Sequence, residues 1–405
     1  MKERALEDNL PSVSIVMPIY NEARSIDTSL ASVLGQDYPP HLTEILIAER
    51  RSDDGTSERI RRIAAQHHDR RLRLLENPGR TPGAAMNRMI REAEGDIIVR
   101  VDGHAEIAAD YVRRCVSALQ DHDALNVGGC ISAVGYGYIG RAIAMAIESF
   151  WGNGGARYRT PPCTAPVYVD TVQFGAWRRE TLLALGPFVE WPVNEDCEFN
   201  ARILDAGGRI LLHPAIRAVY YPRRSLVALA RQYFRYGKLK CRVIARHPSR
   251  LRVRQVIPMV LVLSLVAPWA ITVGADWEPS LALSTPLAYL GGLGMVSLHL
   301  SARRKRAAGV LLLPAVFATL HLSYGLGTLW GMGALFKFLR KKEQQFPLPE
   351  TRPDEVLRSR LGNSHSWPGL AADRSATRWN RLVHGRTSPF FVMFLDSPIH
   401  FRKIS

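Results

Sequence analysis

Short apolar runs separated by stretches of helical spacing fill the first hundred positions of the chain. Val13–Met17, Glu44–Ala48, Leu72–Leu75 and Asp96–Val101 are too short and too rich in β-branched residues to read as buried helices, and they predict strands. Between them Ile26, Leu30, Val33 and Leu34, and then Ile60, Ile63 and Ala64, recur at helical spacing. Thr81-Pro82 marks a further helix start, threonine as N-cap and proline in the first turn. The alternation predicts an α/β fold with a mostly parallel sheet covered by helices on both faces. Ligands of such sheets bind beyond the carboxyl ends of the strands. Pro18, Tyr20 and Glu22, then Glu49, then Asp102, fall at those ends.

Residues 111–222 are less regular, with Gly- and Pro-rich stretches at 128–140, 152–166 and 186–194 read as loops, and helical patterns at 139–150 and 195–206. They are expected to form the second side of a cleft. Three apolar segments follow, Gln255–Ala275, Leu281–Leu300 and Ala307–Phe336. The first two are free of charge and match the ~20 residues that span a bilayer. The third is long and interrupted by Gly325, Gly327, Gly331 and Gly333, so one crossing and a re-entrant pair both remain open. The chain therefore divides into a polar segment at 1–11, a head at 12–222, a basic amphipathic interface segment at 223–254, a membrane region at 255–336 with spans near 255–275, 281–300 and 308–336, and a polar tail at 337–405.

Charge sharpens this division. The formal net charge is +16, and residues 206–275 hold thirteen Lys or Arg and no acid. A basic collar directly before an apolar span suits anionic headgroups and makes membrane lipids a partner. No nucleic-acid-binding motif is present, and nucleic acid is not an expected partner. The collar and the basic run that begins at Arg303 place both ends of the first hairpin in the cytoplasm. The N-terminus carries no signal-peptide pattern, and five scattered cysteines without a CxxC read as reduced thiols. The expectation is a multi-pass protein of the inner membrane with a cytoplasmic head.

The chemistry lies in an ordered series: Val13–Glu22 (VSIVMPIYNE), Glu44–Thr56 (EILIAERRSDDGT), Pro82–Asn87 (PGAAMN), Asp102-Gly103-His104, Asn194-Glu195-Asp196 and Gln232–Tyr236 (QYFRY). In order and spacing over residues 12–240 it resembles the family 2 glycosyltransferases, most of all the ExoA-type glucosyltransferases of succinoglycan assembly. The resemblance implies a GT-A-like nucleotide-sugar-binding domain followed by C-terminal transmembrane helices. It implies that Tyr20 stacks on the base of a UDP-sugar, with Pro18, Glu22 and Asp102 on the same side. Glu49 stands where the family usually has Asp as an acceptor from the base, and Arg50-Arg51 after it read as solvated.

Asp102 and His104 replace the family's DxD by DxH and imply a divalent metal. Imidazole suits Mn2+ better than Mg2+, so Mn2+ is the expected cofactor. The family's general base maps onto Asp196, with Glu195 supporting it on the acceptor side. Adjacent acids at a helix start are also ordinary dipole partners. Gln232 and Arg235 share a helix face and resemble the QxxRW element, with Tyr236 in place of Trp; basic amphipathic helices at membranes show the same interleaving. The expected activity is inverting transfer of a hexose, glucose by resemblance, from a UDP-sugar to a polyprenyl-diphosphate-linked glycan. Transfer to polyprenyl phosphate itself, a processive synthase and a catalytically silent membrane scaffold are the rivals.

Overall fold

In a computed structural model the structure describes residues 10–160, 163–275, 279–304 and 309–341. The first half builds as the periodicity predicts. Strand β1 (Val13–Ile19), helix α1 (Ile26–Leu34), β2 (Thr43–Glu49), α2 (Thr56–Gln66), β3 (Arg71–Glu76), α3 (Pro82–Glu92) and β4 (Ile97–Arg100) follow one another. They pair in parallel in the order β3-β2-β1-β4. Every residue of β2 is buried, whereas β3 leaves Arg71, Leu74 and Glu76 exposed, as an edge strand does. The α3 start is capped as expected, Thr81 Oγ1 accepting from the Ala84 amide at 3.1 Å. Register aligns the strand ends, Ile19 opposite Glu49 and Glu49 opposite Glu76, so the loops after β1, β2 and β3 open on one edge.

The expectation of a mostly parallel sheet fails in the second half. Strand β5 (Ala105–Ile107), helix α4 (Tyr111–Asp121), β6 (Asn126–Ala133), helices α5 (Gly137–Ile147) and α6 (Phe150–Asn153), β7 (Val167–Tyr168), β8 (Ala176–Arg178), α7 (Arg179–Leu185), α8 (Glu195–Asp205) and β9 (Ile210–Tyr220) complete the head. β8 runs antiparallel to β4 and β6, β6 pairs in parallel with β9, and β5 and β7 are antiparallel to β9. The glycines at 128–129, read as loop, lie inside β6. A Cβ on Gly129 would stand 1.8 Å from the Ile216 carbonyl oxygen, so glycine here serves close strand approach at the Gly129/Cys130 bulge.

Helix α9 (Leu226–Arg246) carries the chain to three long helices, α10 (Val253–Ala275), α11 (Pro279–Arg303) and α12 (Gly309–Lys341). All three have the length of a span. Among the described residues one stretch, Leu311–Leu335, is long and apolar enough by composition to cross a membrane, and Val253–Trp269 is a shorter apolar helix. The glycines of α12 do not interrupt it. A Cβ at Gly327 would lie 2.1 Å from the Phe234 carbonyl oxygen, at Gly331 2.3 Å from that of Lys238, and at Gly325 2.2 Å from that of Pro258. Gly237 of α9 meets the Tyr324 carbonyl in the same way. Small residues let these backbones touch. His321 is a packing residue: its Nε2 donates to the Trp151 carbonyl at 2.8 Å, leaving Nδ1 to accept from Tyr289 Oη at 3.1 Å. The polar tail from 342 onward lies outside the described residues.

The head is held to the end of α9 by charge. His247 Nδ1 lies 2.5 Å from Asp205 and Nε2 3.5 Å from Glu198, while Arg202 and Arg250 also reach these two acids. Burial disfavours the charged imidazole, but Asp205 and Glu198 outweigh it and raise the His247 pKa. Burial likewise opposes ionisation of Asp205 and Glu198, and the hydrogen bonds from His247 with the nearby cations lower both. A raised histidine stabilises fully below its unfolded value of ~6.5 and loses that as pH rises through its folded value; lowered carboxylates stabilise above ~4 and lose it as pH falls. The His247→Gln variant should therefore show its largest drop in melting temperature near about pH 5–6, shrinking toward alkaline pH. Thermal unfolding in detergent across pH checks this; a pH-independent deficit would contradict it.

Candidate active site

Three separate loops bring the acids together. After β1 the chain turns at Asn21, held at φ 53° with its amide nitrogen donating to Asp53 at 2.8 Å. This leaves Tyr20 43% exposed at the rim, with the Arg50 guanidinium 4.2 Å from its ring centroid. Arg50 thus stacks on Tyr20, whereas Arg51 is solvated beside Glu76 as expected. Glu22, just beyond, points inward: its Oε1 lies 2.8 Å from His104 Nδ1 and its Oε2 accepts from Ser25 Oγ at 3.2 Å. Gly103 makes this approach possible, because a Cβ there would stand 2.5 Å from Ile19 Cδ1 and 3.0 Å from Glu22 Cγ.

Asp102 leaves the end of β4 beside Arg100, a residue the motif reading passed over. The buried Arg100 guanidinium donates to Asp102 Oδ1 at 2.8 Å through Nε and reaches Glu195 Oε1 at 3.0 Å through Nη2. One cation therefore joins the DxH loop to the Asn194-Glu195-Asp196 turn. The signal was available, since a charged residue inside an apolar strand demands partners. Burial pushes Glu195 up to about 7; Arg100 pulls against it, and the neighbouring Asp196 and Asp102 add to the rise. Asp196 is half-buried at the first turn of α8, its Oδ1 accepting from the Cys197 amide at 2.7 Å.

Two further contacts set this turn. Asn194, at φ 65°, donates its side-chain amide to the Tyr236 carbonyl at 3.0 Å, tying α8 to α9. Asn87 of α3 grips Phe188 twice, its amide nitrogen on the carbonyl at 2.9 Å and its oxygen on the amide at 2.7 Å. Gly83 lies where a Cβ would be 2.1 Å from the Val189 carbonyl oxygen. The PGAAMN segment is thus a clamp on the loop that delivers Glu195-Asp196. On α9 Gln232 is buried and donates to Tyr236 Oη at 2.9 Å, while Arg235 is exposed with its Nε on the Arg231 carbonyl.

A single cavity of about 1450 Å³ collects Pro18, Tyr20, Glu22, Asp102, His104, Glu195, Asp196, Gln232, Arg235 and Tyr236. Glu49 is not on its wall; it is buried at the end of β2, where its Oε1 accepts from the Ser52 amide. The cavity continues past α9 to apolar walls at Leu261, Leu293, Phe317 and Leu320 of the long helices.

Among the described residues no three His, Cys, Asp or Glu side chains are set to hold a metal ion by themselves. Asp102 and His104 fit the role of two ligands to an ion whose shell a substrate completes. Metal-binding histidines usually give their other nitrogen to a carboxylate, which fixes the ring. His104 does so to Glu22 through Nδ1, leaving Nε2, and Asp102 keeps Oδ2 beyond its bond to Arg100.

The family model for glycosyl transferase family 2 matches residues 14–184. The succinoglycan biosynthesis protein ExoA of Rhizobium meliloti (strain 1021) is 34% identical over 259 residues, 63% of this chain and 77% of that protein. A dolichyl N-acetyl-alpha-D-glucosaminyl phosphate 3-beta-D-2,3-diacetamido-2,3-dideoxy-beta-D-glucuronosyltransferase of Methanococcus voltae is 26% identical over 238 residues, 56% of this chain and 72% of that protein. Among solved structures, mannosyltransferase PcManGT from Pyrobaculum calidifontis, in complex with GDP-Man and Mn2+, superposes with a TM-score of 0.51 at 23% identity, covering 80% of this chain and 88% of that one. The head therefore has a GT-A-like glycosyltransferase fold.

Proposed function

Because the chain belongs to glycosyl transferase family 2, we propose that it is a membrane-bound inverting hexosyltransferase that moves a sugar, glucose as first choice, from a UDP-sugar to a polyprenyl-diphosphate-linked glycan. The observation that carries this reading is the continuity of the cavity. It joins the Tyr20, Asp102 and Asp196 side of the head to an apolar wall between the long helices, as a lipid-tethered acceptor requires. Val266, Leu287 and Leu311 are exposed on α10, α11 and α12, which supports a lipid-facing base of three helices. The Methanococcus voltae relative is named for a dolichyl sugar phosphate as acceptor, and ExoA for succinoglycan biosynthesis, in keeping with a lipid-linked glycan acceptor though not with its diphosphate in particular.

In the proposed reaction Asp196 removes the proton from the acceptor hydroxyl as its oxygen attacks the anomeric carbon. The bond from that carbon to the diphosphate breaks on the opposite face, and the electron pair leaves with the nucleoside diphosphate. Arg100 holds Asp102 and Glu195 in place, and Tyr20 with Arg50 offers a stacking face for the base. A divalent cation bound by Asp102 and His104 would neutralise charge growing on the leaving group. With His104 as a ligand, turnover with Mn2+ should exceed that with Mg2+, and His104→Asp should narrow the gap. Equal rates with both metals and an unchanged preference in the variant would overturn that assignment.

The direct test is nucleotide release by detergent-purified protein across UDP-, GDP- and dTDP-sugars with polyprenyl-linked acceptor. Release from one donor, with the sugar recovered on the lipid-linked glycan, is expected. Sugar recovered on polyprenyl phosphate alone would replace the acceptor assignment, and no release from any donor would favour a silent scaffold.

A further inference from the structure

Arg159 closes the short 3-10 turn Arg157–Arg159 after α6, and no sequence motif draws attention to it. Its guanidinium lies in the wall of the cavity, Nη2 donating to Gln173 Oε1 at 2.9 Å. Its Cζ stands 5.1 Å from the ring centroid of Tyr220 and 5.4 Å from that of Tyr158, and Tyr233 and Tyr236 lie near enough to act on its charge. Nε is buried and has no hydrogen-bond partner. Among the described residues its polar partners are the Gln173 amide oxygen and the Tyr233 hydroxyl, with phenol rings around it, and none is a carboxylate. Arg100, more deeply buried, has two. A half-buried cation without an acid still bears a desolvation cost, and aromatic faces offset only part of it. The missing partner has to enter through the cavity.

We propose that Arg159 is an anion-binding residue of the inner cleft and takes a phosphate-ester oxyanion on its open fork, an inference that rests on the nucleotide-sugar reading of the cleft. Its place sets the class of ligand. The Tyr220 ring that it faces lies edge-on to His104, centroids 5.3 Å apart, so Arg159 stands beside the Asp102–His104 pair. On the other side it meets the Tyr233–Tyr236 face of α9, from which the cavity leads to the long helices. A planar fork with free donors matches phosphate geometry. Arg235, exposed and bound to its own helix, does not occupy this position. Two phosphate esters reach it, the diphosphate of the donor and the diphosphate of a lipid-linked acceptor.

Binding to the full-length protein in detergent separates them. The probes are UDP against uridine, and farnesyl diphosphate against farnesol. Arg159→Met removes the charge and keeps the volume; Arg159→Lys keeps the charge and loses the fork. Arg159→Met should weaken one diphosphate by roughly 10- to 100-fold, toward its unphosphorylated counterpart, with Arg159→Lys in between. Replacing a half-buried cation that has no acid partner by an apolar side chain of similar volume should leave the melting temperature close to wild type. Loss confined to UDP assigns the donor, and loss confined to farnesyl diphosphate assigns the acceptor. Wild-type affinity for both diphosphates in Arg159→Met, or in Arg159→Lys should the Met variant not fold, overturns the proposal. Wild-type protein that binds no diphosphate at all overturns the nucleotide-sugar reading, and this role with it.

Discussion

Asp196→Asn is expected to cut sugar transfer by roughly 10²- to 10⁴-fold, the usual span for loss of a general base. The substitution keeps shape and size, and the amide oxygen can still accept from the Cys197 amide, so the start of α8 should survive. Nucleotide affinity and melting temperature should stay near wild type, which separates a chemical defect from a folding one. Glu195→Gln is the control, because that carboxyl is pushed up to about 7 by burial and shares Arg100 with Asp102. A larger fall in Glu195→Gln, with Asp196→Asn active, would move the base by one residue and refute the present assignment.

Arg100→Met should be the most damaging single change to the folded head. It removes the shared cation from the buried Glu195 and the half-buried Asp102 at once, and breaking a buried ion pair from one side costs about 3–5 kcal/mol. Asp102 and Glu195 would face each other's charge across the cleft with Asp196 beside them. One or both must then take up a proton or turn toward water. The melting temperature should fall by several degrees and UDP binding with it, since Asp102 loses its orientation. Arg100→Lys should recover little, because an ammonium cannot donate along two fixed directions as Nε and Nη2 do. A stable Arg100→Met protein with normal UDP affinity would show that the bridge is not what positions these acids.

The first four strands were legible because each holds an apolar run between helices; in β1, β2 and β4 burial on both faces leaves no polar alternation, and β3, at the edge, keeps only a short run. The second half resisted for local reasons. β5, β7 and β8 are two or three residues long, and β6 carries the glycines that read as loop. Of the candidate-site acids, the cavity collects Glu22, Asp102, Glu195 and Asp196 and leaves out Glu49. What the motifs did not expose was their wiring. Arg100 lies two residues before Asp102 yet owes its role to Glu195, nearly a hundred positions away, and Arg159 is recognisable only once four tyrosines surround it. Whether the glycines of α12 break it stayed open in the sequence, because a helix in isolation gives no reason for them. For Gly325, Gly327 and Gly331 the reason is the backbone of a neighbour.

That neighbour gives the molecule a mechanical property. Where α9 and α12 touch at Gly237, Gly327 and Gly331, backbone meets backbone directly. Helix tilt is set by packing against neighbours more than by apolar length. Backbone contact at these glycines couples the orientation of α12 to that of α9, and the Asn194 bond to the Tyr236 carbonyl extends the coupling to the turn that carries Asp196. The three pieces form one lever, so a change that tilted α12 would shift that turn rather than open a gap between the helices.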